Sequence, residues 1–201
     1  MPTMQLLIGP NDHGRKFIAD EMHDAEYQPG YLYEVIDGRF CVSPATNAAE
    51  GFLDDWLRDK LRDYSVSHPE VISYLNDRAR VFVPDQADLT VPEPDLACFH
   101  DFPLDRPLAR LHWEDVSPLL VVEVLVNSNP EKDLVRNVEL YFAVPSIAEY
   151  WILDGRENPD EPFLIARRRK KDRWLLHEVA YGETFSTPTL PGFSLLIDPR
   201  Q

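Results

Sequence analysis

The sequence predicts a mixed α/β (α+β) fold: a central mixed β-sheet flanked by helices, with a β-hairpin near each end. Three patterns carry that expectation. The run YLYEVIDGRFCVSP (31–44) sets two apolar-rich segments about Asp37-Gly38, a strong two-residue hairpin signal. The runs near 163–169 and 173–179 form a second hairpin towards the C-terminal end. Between the hairpins lies one strand–helix–strand unit (119–154). Its crossover makes 119–126 and 149–154 parallel neighbours or near neighbours.

In chain order, residues 1–13 read as a flexible tail and 14–201 as a single domain, opening with a short helix over 14–25. After the first hairpin, Asn47 is placed to cap a helix through about Ser67. Phe52, Leu53, Trp56, Leu57, Leu61 and Tyr64 recur at helical spacing on its inner face. Short strands are expected at 78–84 (RARVFVP) and 94–100 (PDLACFH). A proline-rich connector then leads to LLVVEVLV (119–126). Pro130 and Glu131 open a helix to about Ala143, with Leu134, Val138, Tyr141 and Phe142 on one face. EYWILD (149–154) and GFSLLID (192–198) read as strands.

The bulk numbers exclude several classes. The 201 residues suit one domain, and 44% hydrophobic content supplies a core. No run approaches the ~18 apolar residues of a membrane span. The first residues lack the basic start and apolar core of a secretory signal, so a cytoplasmic protein is expected. Cys41 and Cys98 fit reduced thiols, and the absence of CxxC and HExxH patterns argues against structural zinc. The net charge of −15 opposes non-specific nucleic-acid binding. Against it stand six basic residues within seven positions: Arg167, Arg168, Arg169, Lys170, Lys171 and Arg173. They read either as a solvated hairpin end or as a phosphate-contacting patch.

Glu123 is the anomaly. A strand this apolar is normally buried on both faces. A buried carboxylate costs several kcal/mol, to an order of magnitude, unless protonated, paired or bound to a metal. PEPDLACF puts Asp95 at the start of another apolar strand, and adjacent antiparallel strands would bring the two acids together. Two such carboxylates repel, and a divalent cation removes the penalty. Two readings of Glu123 therefore stay open: a buried salt bridge to Arg80, Arg136 or Lys132, or half of a Mg²⁺ site acting on a phosphodiester. His100 lies five residues past Asp95 and reads as a strand-end residue.

The segments YEVIDGRF-VSP, RVFVP, EPDLACF, LLVVEVL, DLVRNVELY and PSIAEYWILD occur in an order that resembles the Uma-two family of restriction-endonuclease-like proteins, within the PD-(D/E)XK nuclease superfamily. The resemblance spans about 14–198 and implies a restriction-endonuclease-like fold. It implies a metal-dependent endonuclease acting on DNA with Mg²⁺ or Mn²⁺, with Asp95 and Glu123 as metal ligands. The Val124 carbonyl is a further oxygen donor in that scheme, and Glu34 matches a family acid near the site. A lysine two residues past the glutamate is common in the superfamily; Leu125 stands there. The family places it on the following helix, where this chain has Asn137. Arg136 would need a local twist to substitute, whereas Lys132 reaches more easily. The family histidine after the first hairpin is missing, and Val126-Asn127-Ser128-Asn129-Pro130 replaces a small Ser-Pro turn. These departures leave an alternative open: a degenerate nuclease fold that binds nucleic acid or a protein without cutting. The absence of a GxxxxGKS loop or GxSxG elbow argues against other enzyme classes. A homodimer is expected on the ground that cutting both strands of a duplex needs two sites.

Overall fold

The structure, a computed structural model, describes residues 6–18, 21, 25–126 and 130–201. Strand β1 (Leu7–Ile8) pairs in parallel with β2 (Glu26–Tyr27). Strands β3 (Tyr31–Ile36) and β4 (Arg39–Pro44) form the expected antiparallel hairpin. Asp37 and Gly38 both take positive φ, 48° and 67°, the left-handed pair that matches the twist of a tight hairpin. Helix α1 spans Ala48–Ser67, and the Asn47 side chain accepts from the Ala49 and Glu50 N–H groups at 3.0 Å each.

Strands β5 (Tyr74–Asn76), β6 (Leu96–Phe99) and β7 (Leu120–Leu125) follow. A π-helical turn over Lys132–Arg136 runs into helix α2 (Asn137–Ala143). Then come β8 (Glu149–Asp154), β9 (Phe163–Lys170), β10 (Arg173–Val179), β11 (Thr184–Phe185) and β12 (Leu195–Leu196). Among the described residues the central sheet has six strands in the order β10-β9-β8-β7-β6-β5. Within it β7 and β8 are parallel, as the crossover through α2 requires; the other neighbours are antiparallel.

Alternation along β7 divides the core. Leu120, Val122 and Val124 join Leu53, Leu57 and Leu61 of α1. Val121 and Leu125 point the other way, with Tyr141 of α2 and Tyr150 and Ile152 of β8. Each face of β7 is thus covered, which explains its unbroken apolar character. A smaller cluster of Ile8, Tyr33, Val35, Phe40 and Val91 supports the hairpin. Cys41 and Cys98 are both free thiols.

Several expectations need correction. Residues 1–5 of the expected flexible tail lie outside the described residues, but Leu7–Ile8 pairs with β2 and Ile8 is fully buried. The expected helix over 14–25 lies partly outside them too; residues 14–18 are not helical, and Lys16 bridges to Arg39. Phe52 is 53% exposed, off the buried stripe. Residues 78–84 form no strand. Val81 and Val83 donate to the carbonyls of Pro92 and Thr90, but Pro84 and Pro92 have no N–H with which to extend a ladder. The edge strand is instead β5. Only Leu195–Leu196 of the run 192–198 is a strand, limited by the two-residue β11 it pairs with. The tract 127–129 lies outside the described residues.

Candidate active site

Backbone register sets the site. Strands β6 and β7 pair Leu96 with Val122 and Ala97 with Val121. One step further along, Asp95 comes opposite Glu123. Directly opposed residues of an antiparallel pair project to the same face. The Val124 N–H donates to Asp95 Oδ2 at 2.7 Å, which fixes the aspartate at the strand start. Glu123 is 1% exposed, between Val122 and Val124 on a rigid central strand.

The segment after β7 brings polar groups over Glu123. The Asn137 N–H donates to the Lys132 carbonyl, five residues back, which is the π pattern. Asp133, Asn137 and Tyr141 are four residues apart, and the widened turn keeps them on one face. Glu123 Oε1 accepts from Asn137 Nδ2 and from the Tyr141 hydroxyl, each at 2.9 Å. Asn137 Nδ2 also donates to Asp133 Oδ1 at 3.0 Å. The Tyr150 hydroxyl holds the Asp133 carbonyl at 2.9 Å.

Lys132 stands over the other carboxylate edge. Its Nζ lies 3.9 Å from Glu123 Oε2, 3.7 Å from Glu34 Oε1 and 3.8 Å from Asp133 Oδ1. Glu34 is buried and also accepts from Arg136 Nη2 at 3.1 Å. The salt-bridge partner of Glu123 is thus Lys132; Arg136 is taken by Glu34, and Arg80 pairs with Glu93 at 2.7 Å. The Glu93 N–H donates to Glu34 Oε1, joining the hairpin to the segment that carries Asp95 into β6.

The charges are strongly perturbed. Burial, then the negative charge of Glu123, pushes the Asp95 carboxyl well above the usual range. Burial raises Glu123 to about 8 against the pull of Lys132, with Asp133 and Glu34 adding to the rise. Burial likewise raises Asp133 to about 6. For Lys132 burial alone would lower the pKa, but Glu123, Glu34 and Asp133 outweigh it and hold the ammonium charged. Among the described residues, no three His, Cys, Asp or Glu side chains are already drawn together around an ion position.

The sequence matches the Uma2 family, described as "Putative restriction endonuclease", over residues 19–198. The chain belongs to the Uma2 family. It shares its fold with the crystal structure of a putative nuclease belonging to DUF820 from Anabaena variabilis, which superposes with a TM-score of 0.65. That match covers 89% of this chain and 93% of the other at 13% identity. No curated protein matches the sequence.

In this Uma2 protein, Glu34, Glu123, Lys132 and Asn137 meet in one polar cluster, and Asp95 stands across the strands from Glu123. His100 does not join them; its exposed ring contacts the Val71 carbonyl. The basic run on β9 is not a uniform patch. Arg169 turns inward, donating to the carbonyls of Ile147, Tyr141, Phe142 and Val144 at the end of α2. Asp133 and the hydroxyl role of Tyr141 escaped the sequence reading. The four-residue spacing 133, 137, 141 was visible, but an apolar helix face explained Tyr141 equally well. No described helix of this Uma2 chain is long and apolar enough to cross a membrane.

Proposed function

We propose that this chain is a divalent-metal-dependent endonuclease of the PD-(D/E)XK type that hydrolyses DNA phosphodiester bonds. The observation that carries this reading is Asp95, one residue before β6, set opposite Glu123 of β7, with the Lys132 ammonium beside Glu123. The donor chemistry fits Mg²⁺ or Mn²⁺. Both acids offer hard oxygens, and Mg²⁺ takes one or two carboxylates and keeps the rest of its shell for water and phosphate. The raised carboxyl pKa values, set first by burial and then by neighbouring carboxylates, point the same way, because a bound cation favours the ionised form of each acid. When bound, the ion polarises the scissile phosphodiester and lowers the pKa of a nearby water.

The protein's own groups do the rest. Asn137 and Tyr141 fix Glu123 through Oε1, leaving Oε2 on the Lys132 side. Lys132 orients the attacking water and stabilises charge developing on the phosphate. Glu34 anchors both Lys132 and Arg136. The water oxygen forms a new P–O bond, one ester P–O bond breaks, and the leaving alkoxide takes up a proton. The non-cleaving alternative rested on Asn137 in the lysine position and on the net charge of −15; Lys132 answers the first by supplying a cation from one helical turn earlier. We place the enzyme in the cytoplasm, as a homodimer when it cuts both strands.

Incubation of the pure protein with supercoiled plasmid and Mg²⁺ or Mn²⁺ tests this. Nicking or linearisation that disappears in Glu123→Ala is expected. No cleavage with either ion, or cleavage undiminished in that variant, overturns it.

A further inference from the structure

Beside the carboxylates lies a cleft of about 560 Å³, walled by β3 and the loop after β2 on one side and by 77–80, 93–95 and Trp113 on the other. Asp95 forms part of its wall, so the cleft opens directly onto the proposed metal position. Its lining combines aromatic rings with two arginines, Arg78 and Arg80, and three carboxylates, Asp77, Glu93 and Asp95. Tyr27, Tyr31 and Trp113 are half-buried, and Arg78 is exposed at the rim. The Arg80 guanidinium lies 5.3 Å from the Tyr27 ring centre, and its Nε is held by Glu93. Tyr27 packs on Tyr33 at 5.0 Å, and the Tyr33 hydroxyl is tied to the Gln28 carbonyl. Trp113 packs on Phe99 at 6.0 Å. Tyr27 and Trp113 are thus held by neighbouring rings, and with Tyr31 they line the cleft.

We infer that this cleft takes unpaired nucleobases next to the scissile phosphate, so that the preferred substrate is DNA with a single-stranded segment. The inference rests on the nuclease reading above. Aromatic faces can stack on bases only when those bases are out of a duplex stack. A duplex offers phosphates, and binding it demands many cationic contacts against the net charge of −15. The volume lies in the range of pockets that enclose compact ligands, about 300–1,000 Å³. Stacking of one base on one ring is worth about 5- to 150-fold in affinity. Two or three rings therefore supply what the acidic surface withholds.

Fluorescence anisotropy in EDTA separates binding from cutting. The probes are a labelled oligodeoxythymidine, the same strand annealed to its complement, and an oligouridine of equal length. Binding of the single-stranded DNA at least ~10-fold tighter than the duplex is expected, with a further ~10-fold loss in Tyr31→Leu and none in Tyr31→Phe. Leucine keeps apolar bulk at the hairpin, so a folding defect is not confused with lost stacking. Equal affinities, a preference for duplex or for oligouridine, no binding, or an unchanged Tyr31→Leu each overturn the inference. A protein that binds the single strand yet cuts nothing with Mn²⁺ defeats the nuclease reading and leaves the cleft assignment standing. One that cuts duplex without single-strand preference does the reverse.

Discussion

The ammonium of Lys132 stands 3.9 Å from Oε2 of Glu123, reaching from the π-helical turn down to the centre of the sheet. Two further carboxylates, Glu34 and Asp133, hold it there. Lys132→Ala is expected to reduce plasmid cleavage about 10²–10³-fold, the usual cost of losing one stabilising donor. Circular dichroism and thermal unfolding check the fold, since the change also leaves Glu34, Glu123 and Asp133 without that cation. Lys132→Arg should retain part of the rate.

Asn137 offers a test of where the cation must come from. It is fully buried between Glu123 and Asp133. If a helix-borne ammonium is what matters, Lys132→Ala combined with Asn137→Lys should cleave at least ~10-fold faster than Lys132→Ala alone. Initial rates at saturating Mn²⁺ measure it. An unimproved double variant would tie function to the Lys132 geometry itself.

Removing a metal ligand should separate binding from stability. Titration calorimetry is expected to lose Mn²⁺ binding in Asp95→Asn and Glu123→Gln. Thermal unfolding in EDTA should show neither variant less stable than the wild type by more than ~1 kcal/mol, because each removes one of two repelling acids. A large loss of stability in EDTA would mark the acids as structural partners instead.

The site also fixes a pH dependence. Burial holds Glu123 at about 8, above its ordinary 4.5, so between these values the folded protein keeps a proton that the unfolded chain has released. The folded state binds more protons in that window, and stability must fall as pH rises through it. Melting temperatures in EDTA should drop from pH 5 to pH 8, and Glu123→Gln should flatten the slope. A bound divalent ion displaces the proton, so stabilisation by Mn²⁺ should grow over the same interval.

Arg169 joins the outer hairpin to the site through the far end of α2. It donates to four carbonyls there and stacks over Phe142 and Trp174 at 4.4 and 4.9 Å. Arg169→Ala is expected to cost about 2–3 kcal/mol in urea unfolding, the scale of losing charged hydrogen bonds that satisfy helix-end carbonyls. Arg168→Ala on the same strand serves as the control.

Local chemistry made much of this fold readable. Asp37-Gly38, the Asn47 cap and the apolar runs of β7 and β8 each follow a short-range rule, and each element formed where the rule put it. The extended run 78–84 failed because strand propensity says nothing about whether a partner can supply donors, and Pro92 cannot. β5 was hidden for the converse reason: YLN is too short to announce itself and forms only because β6 offers an edge. Within the candidate site, Asp95 and Glu123 stood out as acids among aliphatics. Asp133 did not, because a charged residue in a helix entry is ordinary. Its role depends on a π turn that no local pattern announces.

That turn makes the centre editable. Five residues occupy a span that regular helix fills with four, so the surplus is a single codon. Deleting it would let the helix close its ordinary bonds while swinging everything upstream by about 100° around the axis. Lys132 and Asp133 would leave the carboxylates, and Asn137 and Tyr141 would stay. One in-frame triplet therefore separates a carboxylate cluster with a cation set against it from one held by neutral hydrogen bonds alone.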